Sequence, residues 1–233
     1  MHFVPLDANL GHDLAAMDAR ITNAVKLVFV CNPNNPTGTL ADSAKLRDFV
    51  LSVSTRALVI VDEAYHDFVD EPSYRSMTDL ATKGANVIIS RTASKIHGIA
   101  GLRVGFAIAR PDIINRLRPL RTGSPNAFGM NAFGDCVAAG HRISGFREGA
   151  KQGRTGFADV DAQGIGQACG AFADELRFFH ADMPVARVQT AMLSKGYRIG
   201  RAFPPYNDWC RISIGTPDEM KGCVAALPEA LRA

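Results

Sequence analysis

The feature that most constrains the fold is a series of short apolar runs, each followed by a polar loop. Four such runs lie in the first half of the chain, at 27–31, 57–61, 87–89 and 104–108. Continuous apolar runs of this length are typical of strands that are buried on both faces, as in parallel sheets. Segments with helical spacing at 13–24, 40–54 and 111–118 alternate with them. The pattern predicts an α/β fold with a largely parallel sheet.

A smaller α/β pattern resumes near the C-terminus. A helix face is predicted by four apolar residues near helical spacing, Val185, Val188, Met192 and Leu193. A strand is predicted at 211–214 and a second helix from Asp218 onward. These elements are enough for part of a second, smaller domain.

The stretch between these two patterns has a different composition. Residues 140–173 are rich in glycine and show no sustained apolar period, which is typical of a loop or a disordered segment. We therefore expect a large domain at 1–140, a linker-like segment at 141–173 and a small domain at 174–233.

Charge and composition exclude several classes of protein. A net charge of +3 is too small to indicate a nucleic-acid or membrane surface, and no apolar run approaches the ~20 residues of a membrane span. The N-terminus lacks the charged and apolar regions of a secretory signal. The five cysteines are scattered and form no C-x-x-C pair, so neither a zinc site nor a disulfide framework is indicated. We expect a cytoplasmic protein without a metal site.

Polar groups follow three successive predicted strands. An Asn-Pro loop at 32–38 follows the first strand, Asp62 follows the second, and the stretch from Thr92 to Lys95 follows the third. In open α/β sheets, ligands bind at the carboxyl ends of the strands. The sequence therefore predicts a ligand site built from these three loops.

Three motifs in these loops carry a resemblance to a known family. They are Cys-Asn-Pro-Asn-Asn-Pro-Thr-Gly at 31–38, Asp-Glu-Ala-Tyr at 62–65, and Ser-Lys-Ile-His-Gly-Ile-Ala-Gly-Leu-Arg at 94–103. Together they resemble the class I/II aminotransferases of fold type I, which use pyridoxal 5'-phosphate (PLP). The chain is most similar to the histidinol-phosphate aminotransferase branch, over about 1–138 and 184–230. The resemblance implies a three-layer α/β/α large domain with a small C-terminal domain.

The resemblance assigns the two central roles to Lys95 and Asp62. Lys95 would bind the cofactor aldehyde and later move the Cα proton of the substrate. Asp62 would accept a hydrogen bond from the pyridine nitrogen and keep the ring protonated, so that the ring can take up electrons. The ordinary alternatives are a surface lysine and a helix N-cap aspartate. The ordered occurrence of both residues with Asn35 and Arg103 favours the cofactor site.

The remaining implied roles concern the ring oxygen, the phosphate and the substrate. Asn35 and Tyr65 would donate to the ring oxygen, and one helical turn would place Tyr65 on the same side as Asp62. The alternatives are a turn asparagine and a core tyrosine. The phosphate would be bound by the hydroxyls of Thr92 and Ser94 and by the guanidinium of Arg103.

Arg211, in the second half of the chain, matches the family's C-terminal arginine that binds the anionic end of the substrate. Its alternative is a surface arginine on an edge strand. His97 has no metal-type partner nearby in the sequence, so we expect it to serve as a packing or loop residue.

The implied activity is transfer of an amino group between an amino acid or amino-alcohol phosphate and a 2-oxo acid, in a homodimer. Family members carry a further segment before the part that begins here, so we expect an N-terminally truncated chain. Two alternatives stay open: an inactive PLP-binding remnant, and a PLP-dependent decarboxylase or lyase of the same fold. An NAD-binding domain is disfavoured because no G-x-G-x-x-G follows a predicted strand.

Overall fold

The computed structural model describes residues 1–139, 168–169 and 176–232. These residues divide into two compact units. The N-terminal unit contains Met1–Pro33 and the chain from Leu40 to the start of the undescribed stretch. The C-terminal unit contains Asn34–Thr39 and the described residues from Ala168 onward.

The N-terminal unit is built on a four-stranded sheet with the order β1-β2-β3-β4. The strands are β1 (Leu27–Cys31), β2 (Leu58–Asp62), β3 (Val87–Thr92) and β4 (Gly105–Ala109). The first three strands are parallel, and β4 is antiparallel to β3. The prediction of an α/β fold with a largely parallel sheet is confirmed. The last strand reverses because parallel neighbours need a long crossover, and the connection after β3 contains only a short 3₁₀ helix at Ala100–Leu102.

Five α-helices surround these strands in the described part of the N-terminal unit. They are α1 (Leu14–Ala19), α2 (Ser43–Ser54), α3 (Thr78–Thr82), α4 (Pro111–Leu117) and α5 (Ala127–Ala138). Two further 3₁₀ helices lie at His66–Phe68 and Arg118–Leu120. Helix α2 begins at Ser43 because the Asp42 side chain accepts from the backbone N–H of Lys45, an N-cap contact. Helix α1 is shorter than predicted.

One face of the sheet carries the core of this unit. Val28 and Val30 of β1 are buried, together with Leu46, Val50 and other residues of α2. The alternate residues of β1, Leu27 and Phe29, remain about half exposed. The prediction that β1 is buried on both faces is therefore wrong, since its residues alternate between buried and exposed. The apolar residues of β3 at 87–89 are all buried, as predicted.

The C-terminal unit contains a three-stranded antiparallel sheet with the order β5-β6-β7. Its strands are β5 (Ala168–Cys169), β6 (Leu176–His180) and β7 (Trp209–Ser213). Its helices are α6 (Val185–Ser194) and α7 (Pro217–Ala230). Thr216 and Glu219 form a reciprocal capping box at the start of α7, which explains why this helix begins where it does.

The core of the C-terminal unit follows the predicted helix face with one exception. Val185, Val188 and Met192 of α6 are buried against residues of β7 and α7. Leu193, which we expected on the same face, is exposed. Consecutive helix residues differ by about 100° in direction, so Leu193 cannot follow Met192 into the core.

The predicted linker at 141–173 lies outside the described residues, apart from Ala168–Cys169. No helix in the described part of the chain has the length and apolar character to cross a membrane.

Candidate active site

Asp62 is held at the carboxyl end of β2 by two hydrogen bonds. It is the last residue of the strand and lies in register with Ser90 of β3. The Ser90 hydroxyl donates to Asp62 Oδ1 over 3.0 Å, and the backbone N–H of Ala64 donates to the same oxygen over 3.1 Å. The carboxylate is only partly buried. It is therefore oriented by the sheet and remains accessible to a ligand.

Lys95 and Tyr65 lie against each other although they come from different loops. The Lys95 ammonium lies 4.6 Å from the centroid of the Tyr65 ring, a cation–π contact. The Tyr65 side chain is buried. The predicted helical turn from Asp62 to Tyr65 is wrong, because Asp62 ends β2 and Tyr65 precedes the 3₁₀ helix at His66–Phe68. The loop after β2 nevertheless brings Tyr65 beside the lysine.

Hydroxyls and a guanidinium gather in the connection between β3 and β4. Arg103 Nη1 donates to the Ala100 carbonyl over 2.9 Å and approaches Ser94 Oγ at 3.4 Å. Thr92 Oγ1 accepts from the backbone N–H of Ser94 over 3.0 Å. Arg103 is exposed and has a left-handed backbone with φ of 55°. The Thr92 hydroxyl donates to the Val104 carbonyl over 3.2 Å, so the Arg103 guanidinium and the Ser94 hydroxyl are the donors here that suit an anion such as a phosphate.

The other two candidate residues belong to the C-terminal unit. Arg211 of β7 donates from Nη1 to Asn35 Oδ1 over 2.9 Å, and its guanidinium carbon lies 4.9 Å from the Phe203 ring centroid. Its Nε is buried and has no hydrogen-bond partner among the described residues. A held guanidinium with a free donor is suited to a carboxylate or phosphate.

Asn35 is presented by a tightly bonded turn, as the Asn-Pro pattern predicts. Asn34 Nδ2 donates to Thr37 Oγ1 over 2.7 Å, and Asn34 and Thr37 are buried. The backbone N–H of Gly38 donates to the Asn34 carbonyl over 2.8 Å with φ of 69° at Gly38, where glycine is favoured. Asn35 itself is exposed at the tip of this turn.

Two side chains beside the site were not singled out from the sequence. The Glu63 side chain is 1% exposed and forms an ion pair with Arg91 Nη2 at 2.8 Å. It also accepts from the Ser76 hydroxyl and from the backbone N–H of Met77. The sequence signal is an acidic residue directly after a buried strand, which indicates that a partner is needed but does not identify Arg91 as that partner.

Ser90 was also missed, although strand alternation contains the information needed to find it. Ser90 and Thr92 are two residues apart on β3, so they lie on one face of the sheet. Parallel pairing in register with β2 then places Ser90 beside Asp62.

Other reactive side chains in the described regions show features of structural residues. His97 packs edge-on against Phe133 with ring centroids 5.0 Å apart, consistent with the predicted packing role. Burial raises the pKa of the Cys210 thiol to about 12 and also raises the pKa of Cys223, so both thiols stay protonated and weakly nucleophilic. No cluster of three His, Cys, Asp or Glu suited to a metal ion occurs in the ranges that the structure describes.

Comparison with known proteins gives a consistent match. The family model described as aminotransferase class I and II matches residues 1–132. Histidinol-phosphate aminotransferase 1 of Cupriavidus pinatubonensis is 37% identical over 229 residues, which cover 95% of this chain and 60% of that protein. An aromatic amino acid aminotransferase of Rhodococcus jostii is 35% identical over 226 residues, covering 95% of this chain and 61% of that protein.

Solved structures show the same fold. The histidinol-phosphate aminotransferase of Sinorhizobium meliloti, solved in complex with pyridoxal-5'-phosphate, superposes with a TM-score of 0.81 at 23% identity. The alignment covers 99% of this chain and 64% of that one. The chain thus spans about 60% of the length of the curated relatives that it matches.

Proposed function

This chain belongs to the class I and II aminotransferase family, and from that premise we propose that it binds PLP and transfers amino groups. The observation that carries the proposal is the arrangement at the strand ends of the N-terminal unit. There Lys95 lies on the Tyr65 ring, and the Asp62 carboxylate is oriented by Ser90. The Arg103 guanidinium lies beside the Ser94 hydroxyl in the same connection that carries Lys95.

The donor set of this unit fits the chemistry of PLP. Asp62 would accept a hydrogen bond from the ring nitrogen, and Arg103, Ser94 and Thr92 would bind the phosphate. Lys95 supplies the amine that binds the aldehyde, and Tyr65 would donate to the ring oxygen. When bound, PLP withdraws electrons from the Cα of an amino substrate.

Within this arrangement, Lys95 acts as the acid and base. Its amine would take the proton from the substrate Cα and deliver it to the carbon on the far side of the amino nitrogen, which is the 1,3-proton shift that transamination requires. The Tyr65 ring face restricts where the Lys95 ammonium can lie, because the cation–π contact favours positions over the ring. Asp62 would hold the ring-nitrogen proton in place throughout.

For the substrate we propose an amino acid or an amino-alcohol phosphate resembling histidinol phosphate, with a 2-oxo acid as acceptor. Arg211 would bind the anionic end through its planar guanidinium, and Asn35 would donate to the cofactor ring oxygen. The Arg211–Asn35 hydrogen bond supports this pairing because it orients the guanidinium. The named relatives include enzymes for histidinol phosphate and for aromatic amino acids, so both classes of donor belong in the test.

We also propose a homodimer in the cytoplasm. The dimer rests on the family resemblance alone. The cytoplasmic location is supported by the five scattered cysteines, of which Cys31, Cys136, Cys210 and Cys223 are free thiols.

The test is a titration of the purified chain with PLP, followed by visible absorbance. We expect a band from lysine-bound cofactor that is lost in Lys95→Ala. The matched control is Lys83→Ala, which removes a lysine exposed at the surface beside Asp79 and should leave the band unchanged. Incubation with amino donors and a 2-oxo acid, followed by product analysis, then separates amino transfer from decarboxylation or elimination.

A folded chain that gives no band would contradict the proposal and support the inactive-remnant alternative. A band that persists in Lys95→Ala would show that another amine binds the cofactor, and the assignment of Lys95 would fail.

A further inference from the structure

The two hydrogen bonds to Asp62 are unevenly distributed over its carboxylate. Both the Ser90 hydroxyl and the Ala64 backbone N–H donate to Oδ1, at 3.0 and 3.1 Å. No described residue donates to Oδ2. The side chain is thus fixed through one oxygen, while the other keeps its full capacity to accept a hydrogen bond.

The Ser90 hydroxyl is itself placed by a rigid framework. Ser90 is paired in register with Asp62 within the β2–β3 ladder, and its carbonyl accepts from the backbone N–H of Glu63 over 2.9 Å. On the other side of the strand, Arg91 forms the buried ion pair with Glu63. The Ser90 backbone and the following residue, Arg91, are therefore both held, and the Ser90 side chain has little freedom to move away from Asp62.

We infer that Ser90 is a positioning residue that acts through Asp62. By occupying Oδ1, the serine turns Oδ2 toward the ligand and leaves it free for the protonated ring nitrogen of the cofactor. This inference rests on the proposed function, because only a bound ring makes use of the free oxygen. Ser90 does not need to touch the cofactor or the substrate.

The first test compares PLP affinity in the wild type and in three variants. Ser90→Ala should weaken PLP binding on the order of tenfold, because a hydrogen bond to a charged group is lost. Ser90→Thr keeps the hydroxyl and should recover most of the affinity. The control Ser54→Ala removes a hydroxyl that, among the described residues, bonds only to the Leu51 carbonyl, and it should have no effect.

A double-mutant cycle separates positioning from general destabilisation. If Ser90 acts through Asp62, Ser90→Ala should cause no further loss of PLP affinity in an Asp62→Ala background. The visible band of bound PLP should shift in Ser90→Ala and return in Ser90→Thr. Additive losses in the double variant, or an unchanged affinity and band in Ser90→Ala, would overturn the inference.

A crystal structure of the PLP-free chain decides the matter even if no cofactor binds. The wild type should show Asp62 bonded through a single oxygen to Ser90 and Ala64, and Ser90→Ala should show a rotated or disordered carboxylate. That result with no PLP binding would contradict the proposed function and leave the positioning role standing. An Asp62 side chain that keeps its orientation in Ser90→Ala would overturn the inference alone.

Discussion

Each of the two units contains a cluster of charged side chains, and the two clusters differ in how far their side chains are exposed to water. In the N-terminal unit, Glu63 and Arg91 pair with side-chain exposures of 1% and 20%. In the C-terminal unit, His180 contacts Asp208 at 2.6 Å and Asp182 at 2.9 Å. There the imidazole is 31% exposed, and both carboxylates are more exposed still.

Because of this difference in burial, we expect removal of one partner to cost more stability in the Glu63–Arg91 pair than in the His180 cluster. When one partner of a buried ion pair is removed, no water replaces it beside the remaining charge. Removing that partner therefore costs several kcal/mol of stability. An exposed charge is hydrated in place of its partner, and the net effect is small. The comparison therefore predicts a graded series of effects.

The largest effect is expected for Glu63→Ala. This change leaves the Arg91 guanidinium without its counter-charge and removes the acceptor for the Ser76 hydroxyl and the Met77 backbone N–H. The free energy of unfolding should fall by about 3 kcal/mol, measured by denaturant titration. The control Glu71→Ala removes a partly exposed carboxylate of the same unit, which accepts only from the nearby Ser73 among the described residues, and should change the free energy of unfolding by less than about 0.5 kcal/mol. A cost below about 1 kcal/mol for Glu63→Ala would contradict the view that burial of the pair determines its contribution to stability.

A smaller, pH-dependent effect is expected for His180→Gln. Burial alone would lower the pKa of His180, but the hydrogen bonds and charges of Asp208 and Asp182 outweigh it and raise the pKa. The other group that contacts the ring is Trp209, which is uncharged. The stabilising contribution of charged His180 is thus complete below about pH 6.5, the ordinary histidine value, and is lost as pH rises through the higher folded value.

Denaturant titrations of wild type and His180→Gln at several pH values test this contribution. The two should differ by less than about 1 kcal/mol at acid pH and converge at alkaline pH. The control His2→Gln removes an exposed histidine near the N-terminus and should leave the wild-type pH profile intact. A difference that grows as pH rises would contradict the assigned role of the two carboxylates.

The smallest effect is expected for Arg47→Gln in the N-terminal unit. Arg47 bonds to Asp79 at 2.6 Å, and this contact, with help from Lys83, lowers the pKa of Asp79 to about 2. Because both side chains are at least one-third exposed, the change should cost about 0.5 kcal/mol or less near neutral pH. This cost should disappear as pH falls from about 4 toward 2, where Asp79 becomes protonated.

The Arg47 variant also distinguishes two explanations of the effect, the burial of the ion pair and the unit in which it lies. Arg47 is partly exposed but belongs to the same unit as the buried Glu63. Denaturant titration at neutral and acid pH provides the measurement. A cost near that of Glu63→Ala would show that the unit, and not the burial of the pair, sets the effect.

Local patterns were enough to predict much of the fold. The apolar runs locate all four strands of the N-terminal sheet to within a few residues, although most of β4 and alternate residues of β1 are exposed. The Asn-Pro loop forms the predicted turn, since glycine at 38 permits its positive φ. Lys95 and Tyr65, which the resemblance assigns to one site, do lie in contact. Their roles toward a cofactor remain predictions.

Features that depend on distant partners could not be predicted from the sequence. The reversed direction of β4 depends on the path of the chain after β3, and an apolar run carries no sign of direction. Glu63 and Arg91 are 28 residues apart in the sequence and come into contact only because β2 pairs with β3. The burial of Leu193 was predicted wrongly for a local reason. Its spacing from Val185 and Val188 is nearly helical, but this spacing does not show whether a residue lies at the centre or at the exposed edge of the apolar face.

The connection between β3 and β4 has a consequence for protein engineering. Thr92 pairs with Gly105, so the chain leaves and re-enters the sheet at one rung, carrying both Lys95 and Arg103 in between. Residues added near the exposed Gly101 would lengthen this excursion without shifting the register of any strand. Under the roles proposed for Lys95 and Arg103, libraries of such insertions would accept aldehydes whose anionic group lies farther from the carbonyl.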